Sequence, residues 1–240
     1  MATHRSKLDV VYRFFTGTGF SYDRVVTVCT CGFDRYWKKR IIARIPSHSA
    51  RILDQACGTG ILTLAIARAF PGCQVTGVEL RDEYLSLARE KARSAGIENV
   101  RFMLGRAEDM AEGEYDCITS SYLAKYAELE PLIANAGKML RPGGLLVMHE
   151  FTYPANPLFL SLWHAYFRLL RTVGSRIYPE WRTVFQELPA FLRQSSWLPE
   201  ALALLQEHDF CDITSESLTF GTSAIVTARN PETPSRRTSG

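Results

Sequence analysis

Between residues 50 and 151 the apolar positions follow two alternating rhythms. Short continuous apolar runs at 50–56 (ARILDQA), 73–80 (CQVTGVEL), 100–105 (VRFMLG), 115–120 (YDCITS) and 145–151 (LLVMHEF) read as strands. Between them lie segments at helical spacing. In 59–70, Leu62, Ala65, Ile66 and Ala69 share a face. The segment 81–96 opens on Asp82 as N-cap and stops at Gly96, and 128–140 is closed by the turn Arg141-Pro142-Gly143-Gly144. Strands alternating with helices predict βαβ units and a parallel sheet. Runs with no apolar–polar alternation agree, because a parallel sheet is covered on both faces.

Two regions break the rhythm. Before residue 50 the chain is helical and aromatic, with Tyr12, Phe14, Phe15, Phe20 and Tyr22. After Pro157 one helical face collects Phe159, Leu162, Trp163, Tyr166, Phe167, Leu170 and Val173. After Leu198 come a helix (PEALALLQEH) and two strands (CDITSESL and TSAIVTA), close enough in sequence to pair antiparallel. The expected fold is α/β: a doubly wound, mostly parallel seven-stranded sheet with an antiparallel C-terminal strand and helices on both faces. Residues 1–48 form a helical substrate or lid segment. Residues 49–229 form the main domain, with a helical insertion at 157–195. The polar stretch 230–240 is expected to be a disordered tail.

Composition changes this picture little. Hydrophobic residues make up 46% and charged residues 22% of 240 positions, an ordinary balance for one globular domain. Net charge is only +3, yet residues 1–51 carry ten Lys/Arg against three Asp, which leaves −4 for the rest. Such a basic end suits phosphates, anionic lipid headgroups or an acidic substrate; a solvated helical surface accounts for it equally well. The six cysteines are scattered, and only Cys29 and Cys31 are close, with no second pair at zinc-ligand spacing. No metal site is therefore expected. The opening MATHRSKLDV shows no secretory signal, and no apolar run approaches ~20 residues. A reducing cytoplasmic setting fits, with peripheral membrane contact left open. There is no dedicated nucleic-acid motif.

The stretch ILDQACGTGILTLAIA carries the first chemical clue. In open α/β sheets ligands bind beyond the carboxyl ends of the strands, so the first strand-to-helix turn is the place to look. Gly58 and Gly60 lack a Cβ and tolerate positive φ, so a ligand can lie against the backbone there. No Gly-Lys-Ser/Thr follows, which excludes a phosphate-cradling P-loop. A dinucleotide fingerprint would place Gly or Ala where this chain has Thr63. Glu79 closes the second strand, placed to accept hydrogen bonds from both hydroxyls of a ribose; an exposed strand-end acid is the plainer alternative. Asp54 ends the first strand. A carboxylate there suits a ligand bearing an ammonium and would repel a pyrophosphate. Together these favour S-adenosylmethionine over a nicotinamide cofactor.

The runs LDQACGTG, VELRDEYLSLAREKA, RAEDM, DCITSSYLAK and RPGGLLVMHEFTYP resemble the class I S-adenosylmethionine-dependent methyltransferases, which are Rossmann-like. They look most like the ubiquinone/menaquinone-biosynthesis C-methyltransferase family. YDRVVTVCTCGFDRYWKKRI and LTFGTSAIVTA extend the likeness to roughly residues 20–228. The resemblance implies that Gly58 and Gly60 lie under the cofactor and that Asp54 holds its methionine end. It places Thr63 at the start of the helix beneath, Glu79 on the ribose, Arg106 and Ala107 around the adenine, and Ser121 near the transferred methyl. Departures fall at Arg106, where relatives carry Asp or Asn, at Asp34, where relatives carry His, and at Tyr122-Leu123-Ala124-Lys125-Tyr126. The last two lie on the expected substrate side.

The implied reaction is methyl transfer, with C-methylation of a quinol or similar apolar aromatic in first place. An O- or N-methyltransferase on another small molecule and a non-catalytic cofactor-binding partner protein are the alternatives. A hydroquinone carbon becomes a good nucleophile when a neighbouring phenol loses its proton. Asp23, Tyr122, His149 and Tyr153 are the candidate bases, although His149 within LLVMHEF also reads as a hydrogen-bonded core residue. Tyr22, Tyr122, Phe151 and Tyr166 are candidate substrate-wall residues. An aromatic roof beside a basic N-terminal region suits a substrate with a lipid tail.

Overall fold

The computed structural model describes residues 6–232; the start of the helical segment (1–5) and most of the expected tail (233–240) lie outside the described residues. Seven strands form one sheet: β1 Arg51–Gln55, β2 Gln74–Glu79, β3 Val100–Leu104, β4 Tyr115–Ser121, β5 Leu140–Phe151, β6 Cys211–Leu218 and β7 Ser223–Arg229. Their order is β3-β2-β1-β4-β5-β7-β6. The first five are parallel, and β7 runs antiparallel to both β5 and β6. The chain winds outward from β1 to β3, then returns to lay β4 on the other side of β1. Strand order therefore reverses between β1 and β4, where a crevice opens at the carboxyl ends.

The first helices are α1 Lys7–Phe15, α2 Tyr22–Cys29 and α3 Phe33–Ile42. Within the alternating region come α4 Ile61–Ala69, α5 Asp82–Ser94 and α6 Leu129–Met139, followed by α7 Pro157–Leu169, α8 Ser175–Ile177, α9 Arg182–Gln194 and α10 Trp197–Glu207. One buried cluster joins α3 and α4 to the sheet through Ile41, Ile66, Ile52 and Val147; another joins α6 and α10 through Ile133, Met139, Leu146 and Leu205. Each such side chain contributes about 1.5–3 kcal/mol on burial. A third cluster (Phe14, Val25, Trp181, Val184, Phe185) packs α1, α2 and α9 into a roof.

Three local expectations need correction. Asp82 is the first helical residue of α5; Arg81 is the N-cap, extended at φ −105, ψ 117. Its own N–H donates to Glu79 Oε1 at 2.8 Å, and no side chain caps the first turn of the helix. Asp82 instead faces the positive end of the helix dipole. Gly96, at φ +62, does end the helix. The Gly96 and Ile97 N–H groups bond back to Arg93 and Ala92 carbonyls at 3.1 and 3.0 Å, a Schellman closure.

The turn at 141–144 is a bulge inside β5. Tyr115 pairs with Leu140 and Cys117 with Leu145, so four residues oppose Asp116 alone. Gly143 at φ +75 makes the excursion, and an Arg141–Asp116 contact at 2.9 Å fastens it. The aromatic helix is also narrower than its sequence suggests. Among 157–173, Leu162 and Val173 are exposed, while Trp163, Tyr166, Phe167 and Leu170 face inward. A π-helical turn at Leu170–Gly174 interrupts it.

Candidate active site

The glycine turn is built by three positive-φ residues. Ala56 (φ +54) leaves β1, Cys57 bonds across to the Val78 carbonyl at 2.8 Å, and Gly58 (φ +57) and Gly60 (φ +84) lead into α4. The two glycines serve different purposes. A Cβ on Gly58 would meet only the Tyr84 ring at 3.9 Å, so this position opens onto a cavity. A Cβ on Gly60 would lie 3.1 Å from Ala88 and 3.4 Å from Leu64, so this position packs α4 on α5 and does not line the cavity. Gly60→Ala is therefore expected to destabilise the fold by about 1–3 kcal/mol, through strain and overpacking. Gly58→Ala is expected to cost about 1 kcal/mol in strain and to weaken ligand binding as well. Thermal melts and calorimetric titration separate the two effects.

Glu79 stands at the carboxyl end of β2 and faces the same cavity. Its Oε2 accepts from the Gly58 N–H at 2.9 Å and its Oε1 from the Arg81 N–H at 2.8 Å. Burial raises its pKa, and those backbone bonds pull it back down. Each oxygen keeps further acceptor capacity. Beside it Leu80 and Ala107 form an apolar wall edged by the Arg106–Glu108 pair at 3.4 Å. A carboxylate with two oxygens to offer, a Cβ-free turn and an apolar slot fit the ribose and adenine of S-adenosylmethionine.

Asp54 does not face this cavity. It is buried, with Oδ2 accepting from Thr63 Oγ1 at 2.6 Å and Oδ1 from Thr119 Oγ1 at 2.9 Å. It braces β1 to β4 and α4, and Thr63 is its buried partner. Neither lines the cavity wall, whereas Gly58, Glu79, Arg106, Ala107 and Ser121 do. Burial pushes the Asp54 pKa up to about 6, against the pull of the two hydroxyls. A carboxyl whose folded pKa exceeds its unfolded value stabilises most below the unfolded pKa, and that contribution is lost as pH rises through the folded one. The stability of the parent relative to Asp54→Asn is thus expected to fall between about pH 4 and pH 6, by on the order of 3 kcal/mol. Paired denaturation curves across that range check it.

Elsewhere in the cavity wall, Tyr122 follows β4 at φ +65, a strained position for a bulky residue. Its ring stacks on Phe151 (centroids 4.7 Å apart, 12° between planes), and its hydroxyl donates to Asp34 Oδ1 at 2.8 Å. Burial, then Asp34, pushes its pKa well up. Asp34 is itself paired with buried Lys38. Beside this stack lies a fully buried ion pair, Lys125 Nζ to Glu150 Oε1 at 2.5 Å. The ammonium sits 4.3 Å from the Tyr126 ring centroid and 5.3 Å from that of Phe151, in the cavity wall.

Of the four candidate bases only Tyr122 reaches the cavity. Asp23 ties α2 to the glycine turn, accepting from Thr59 Oγ1 and pairing with Lys91, both at 2.5 Å. His149 is buried with both ring nitrogens engaged, Nδ1 to Ser121 Oγ at 3.0 Å and Nε2 to Ser223 Oγ at 2.7 Å. Burial, then Lys38 and Lys125, holds its pKa well below the ordinary value, so it is a neutral brace between β4, β5 and β7. Tyr153 bonds His164 at 2.9 Å at the surface. The four substrate-wall residues Tyr22, Tyr122, Phe151 and Tyr166 do converge on the cavity. Tyr84, Trp181 and Ala56 line it too without having been candidates, and so do Lys125 and Tyr126, which the sequence marked only as departures on the expected substrate side. The one available signal was a lysine in an otherwise apolar stretch.

The cavity has a volume of about 630 Å³ and runs from the glycine turn to α7. Tyr22 and Tyr84 meet edge to face at 5.2 Å in its wall. Among the described residues no cluster of His, Cys, Asp and Glu could hold a metal.

The ubiE/COQ5 methyltransferase family profile matches residues 3–230. The chain belongs to this family. It is an S-adenosylmethionine-dependent methyltransferase. A demethylmenaquinone methyltransferase of Staphylococcus aureus (strain MRSA252) is 24% identical over 230 residues, covering 94% of this chain and 95% of the relative. Among solved structures, the methyltransferase SibL in its apo form superimposes with a TM-score of 0.61 at 20% identity, over 84% of this chain and 57% of that one. Geranyl diphosphate methyltransferase in complex with SAM gives 0.59 at 15% identity, over 84% and 88%. This chain therefore spans little more than half the length of SibL. These structural likenesses establish the methyltransferase fold.

Proposed function

We propose that this methyltransferase transfers a methyl group to a ring carbon of a hydroquinone-like apolar aromatic. The observation that carries the reading is one continuous cavity. One end offers Glu79 and the Cβ-free turn; the other offers stacked Tyr122 and Phe151 beside a buried ammonium. The S. aureus relative, named for a demethylated menaquinone, supports an acceptor of this class.

S-adenosylmethionine, when bound, supplies an electrophilic methyl on a sulfonium. Glu79 would hold its ribose, the turn at Ala56–Gly58 its amino-acid end, and Ala107 its adenine. The protein's own work is alignment and dryness. Holding two reactants in line can lower a barrier by on the order of 7–11 kcal/mol, and the aromatic roof excludes water. Tyr122 and Phe151 orient a flat ring. Lys125 faces it as a buried cation, so an acceptor hydroxyl placed there loses its proton more readily. That raises electron density at the adjacent ring carbon.

The test is an incubation with methyl-labelled S-adenosylmethionine and a short-chain demethylated naphthohydroquinone, without vesicles. The expected product carries label on a ring carbon, seen by NMR as an aryl methyl. Label on oxygen, or none in the quinone, refutes this acceptor assignment.

A further inference from the structure

The outer face of α7 has no partner among the described residues. Leu158 (68% exposed), Leu162, Leu169, Val173 and Ile177 (63% exposed) form one apolar stripe. The spacing from Leu158 to Ile177 exceeds that of an unbroken α-helix. The π-helical turn at Leu170–Gly174 absorbs an extra residue and keeps Val173 and Ile177 on the stripe. Beside the stripe runs a groove between α7 and α9 lined by His164, Arg168, Arg171, Pro189 and Arg193. Among the described residues no carboxylate pairs with these arginines, and no Asp or Glu occurs between residues 151 and 179. Phe167 and Phe185 line this groove and the acceptor cavity alike, so they form the wall between the two.

The basic N-terminal region is arranged differently. Lys7 pairs with Glu128, Arg13 with Glu187, Lys38 with Asp34, and Arg40 and Arg44 with Glu216. Arg24, Arg35 and Lys39 carry no ion pair among the described residues either. What sets α7 and α9 apart is three unpaired arginines beside a continuous apolar stripe, with no acid from 151 to 179.

We propose that this face rests on an anionic phospholipid bilayer, with the stripe in the acyl boundary and Arg168, Arg171 and Arg193 on headgroup phosphates. Guanidinium groups bind phosphate oxygens two at a time. An apolar stripe flanked by arginines is the pattern of an in-plane interfacial helix. The inference concerns the outer surface and stands whether or not the acceptor is a hydroquinone. Its consequence is an acceptor cavity one aromatic layer from the lipid.

The test is co-sedimentation of the full chain with phosphatidylcholine vesicles and with vesicles containing equal phosphatidylglycerol. The parent is expected to pellet with the anionic vesicles, less so at high salt. Each of Arg168→Gln, Arg171→Gln and Arg193→Gln is expected to weaken binding about fivefold. Leu162→Ser with Leu169→Ser is expected to weaken it about tenfold or more. Calorimetry should show S-adenosylmethionine affinity unchanged in these variants. On the parent itself, anionic vesicles should slow hydrogen exchange across residues 157–177. The proposal fails if the parent stays in the supernatant with anionic vesicles, or if the variants pellet like the parent. It fails equally if sedimentation shows a dimer that the serine pair dissolves, because the stripe then covers a second copy of this chain.

Discussion

Replacing Glu79 by alanine is expected to weaken S-adenosylmethionine binding by about 10²-fold or more. The proposed ribose contact puts two charge-assisted hydrogen bonds at stake, at about 1.5–3 kcal/mol each. The loss is larger than the ribose bonds alone would give, because the same carboxylate shapes the site. Its oxygens hold the Gly58 and Arg81 N–H groups at 2.9 and 2.8 Å. Without it, the turn under the cofactor loses its anchor and two backbone donors lose their partners. Glutamine is a poor substitute for the same reason. Both carboxylate oxygens face N–H donors, so the amide NH₂ of a glutamine side chain would oppose one of them. Calorimetric titration of Glu79→Ala and Glu79→Gln against the parent measures this, and thermal melts without ligand confirm that the variants fold. Affinity left within a few-fold of the parent would remove Glu79 from the cofactor site.

The second large effect is expected at Lys125. Its ion pair with Glu150 is fully buried, and burial lowers the lysine pKa against the pull of the carboxylate. Lys125→Met leaves the buried Glu150 carboxyl without its cation, held only by the Phe151 and Lys125 backbone N–H groups, at a cost of about 3–5 kcal/mol. For a chain of this length that lowers Tm by roughly 6–20 °C. Replacing both residues, Lys125→Met with Glu150→Leu, is expected to recover most of the loss, because burying an ion pair costs desolvation that an apolar pair avoids. The double variant then isolates the chemistry. Folded, binding cofactor, yet without its cation, it is expected to lose about 10²–10³ in kcat, the scale for removing one preorganised charge stabiliser. Full activity in a stable double variant would make the pair purely structural.

What could be read from the chain beforehand was local. Alternating apolar runs with short connections specify a covered parallel sheet. Gly58 and Glu79 sit within a turn of their own strand ends, so their spacing alone already brought them to one cavity wall. What could not be read depends on neighbours distant in sequence. Asp54 sits four residues before Gly58 and invites a ligand role, yet Thr119, on the adjacent strand, claims one of its oxygens. Lys125 and Glu150 look like two stray charges until β4 and β5 place their carboxyl ends together. His149 resembles a base in sequence, but serines on both flanking strands occupy its nitrogens. The basic N-terminal excess resembled a headgroup patch, yet four of its cations, Lys7, Arg13, Arg40 and Arg44, are spent against acids that the fold brings from residues 128–216. The bulge at 141–144 had the residues of a free turn, and only the pairing with β4 shows it inside a strand.

If the cofactor's sugar rests on Glu79 and shares one cavity with the acceptor, a crystal structure grown with S-adenosylhomocysteine shows it most directly. The expected density places both ribose hydroxyls on the two Glu79 oxygens, the adenine against Ala107, and the sulfur turned toward Tyr22 and Tyr122. Density for the nucleoside away from Glu79, or a turn at Gly58 with no ligand against it, would contradict this arrangement.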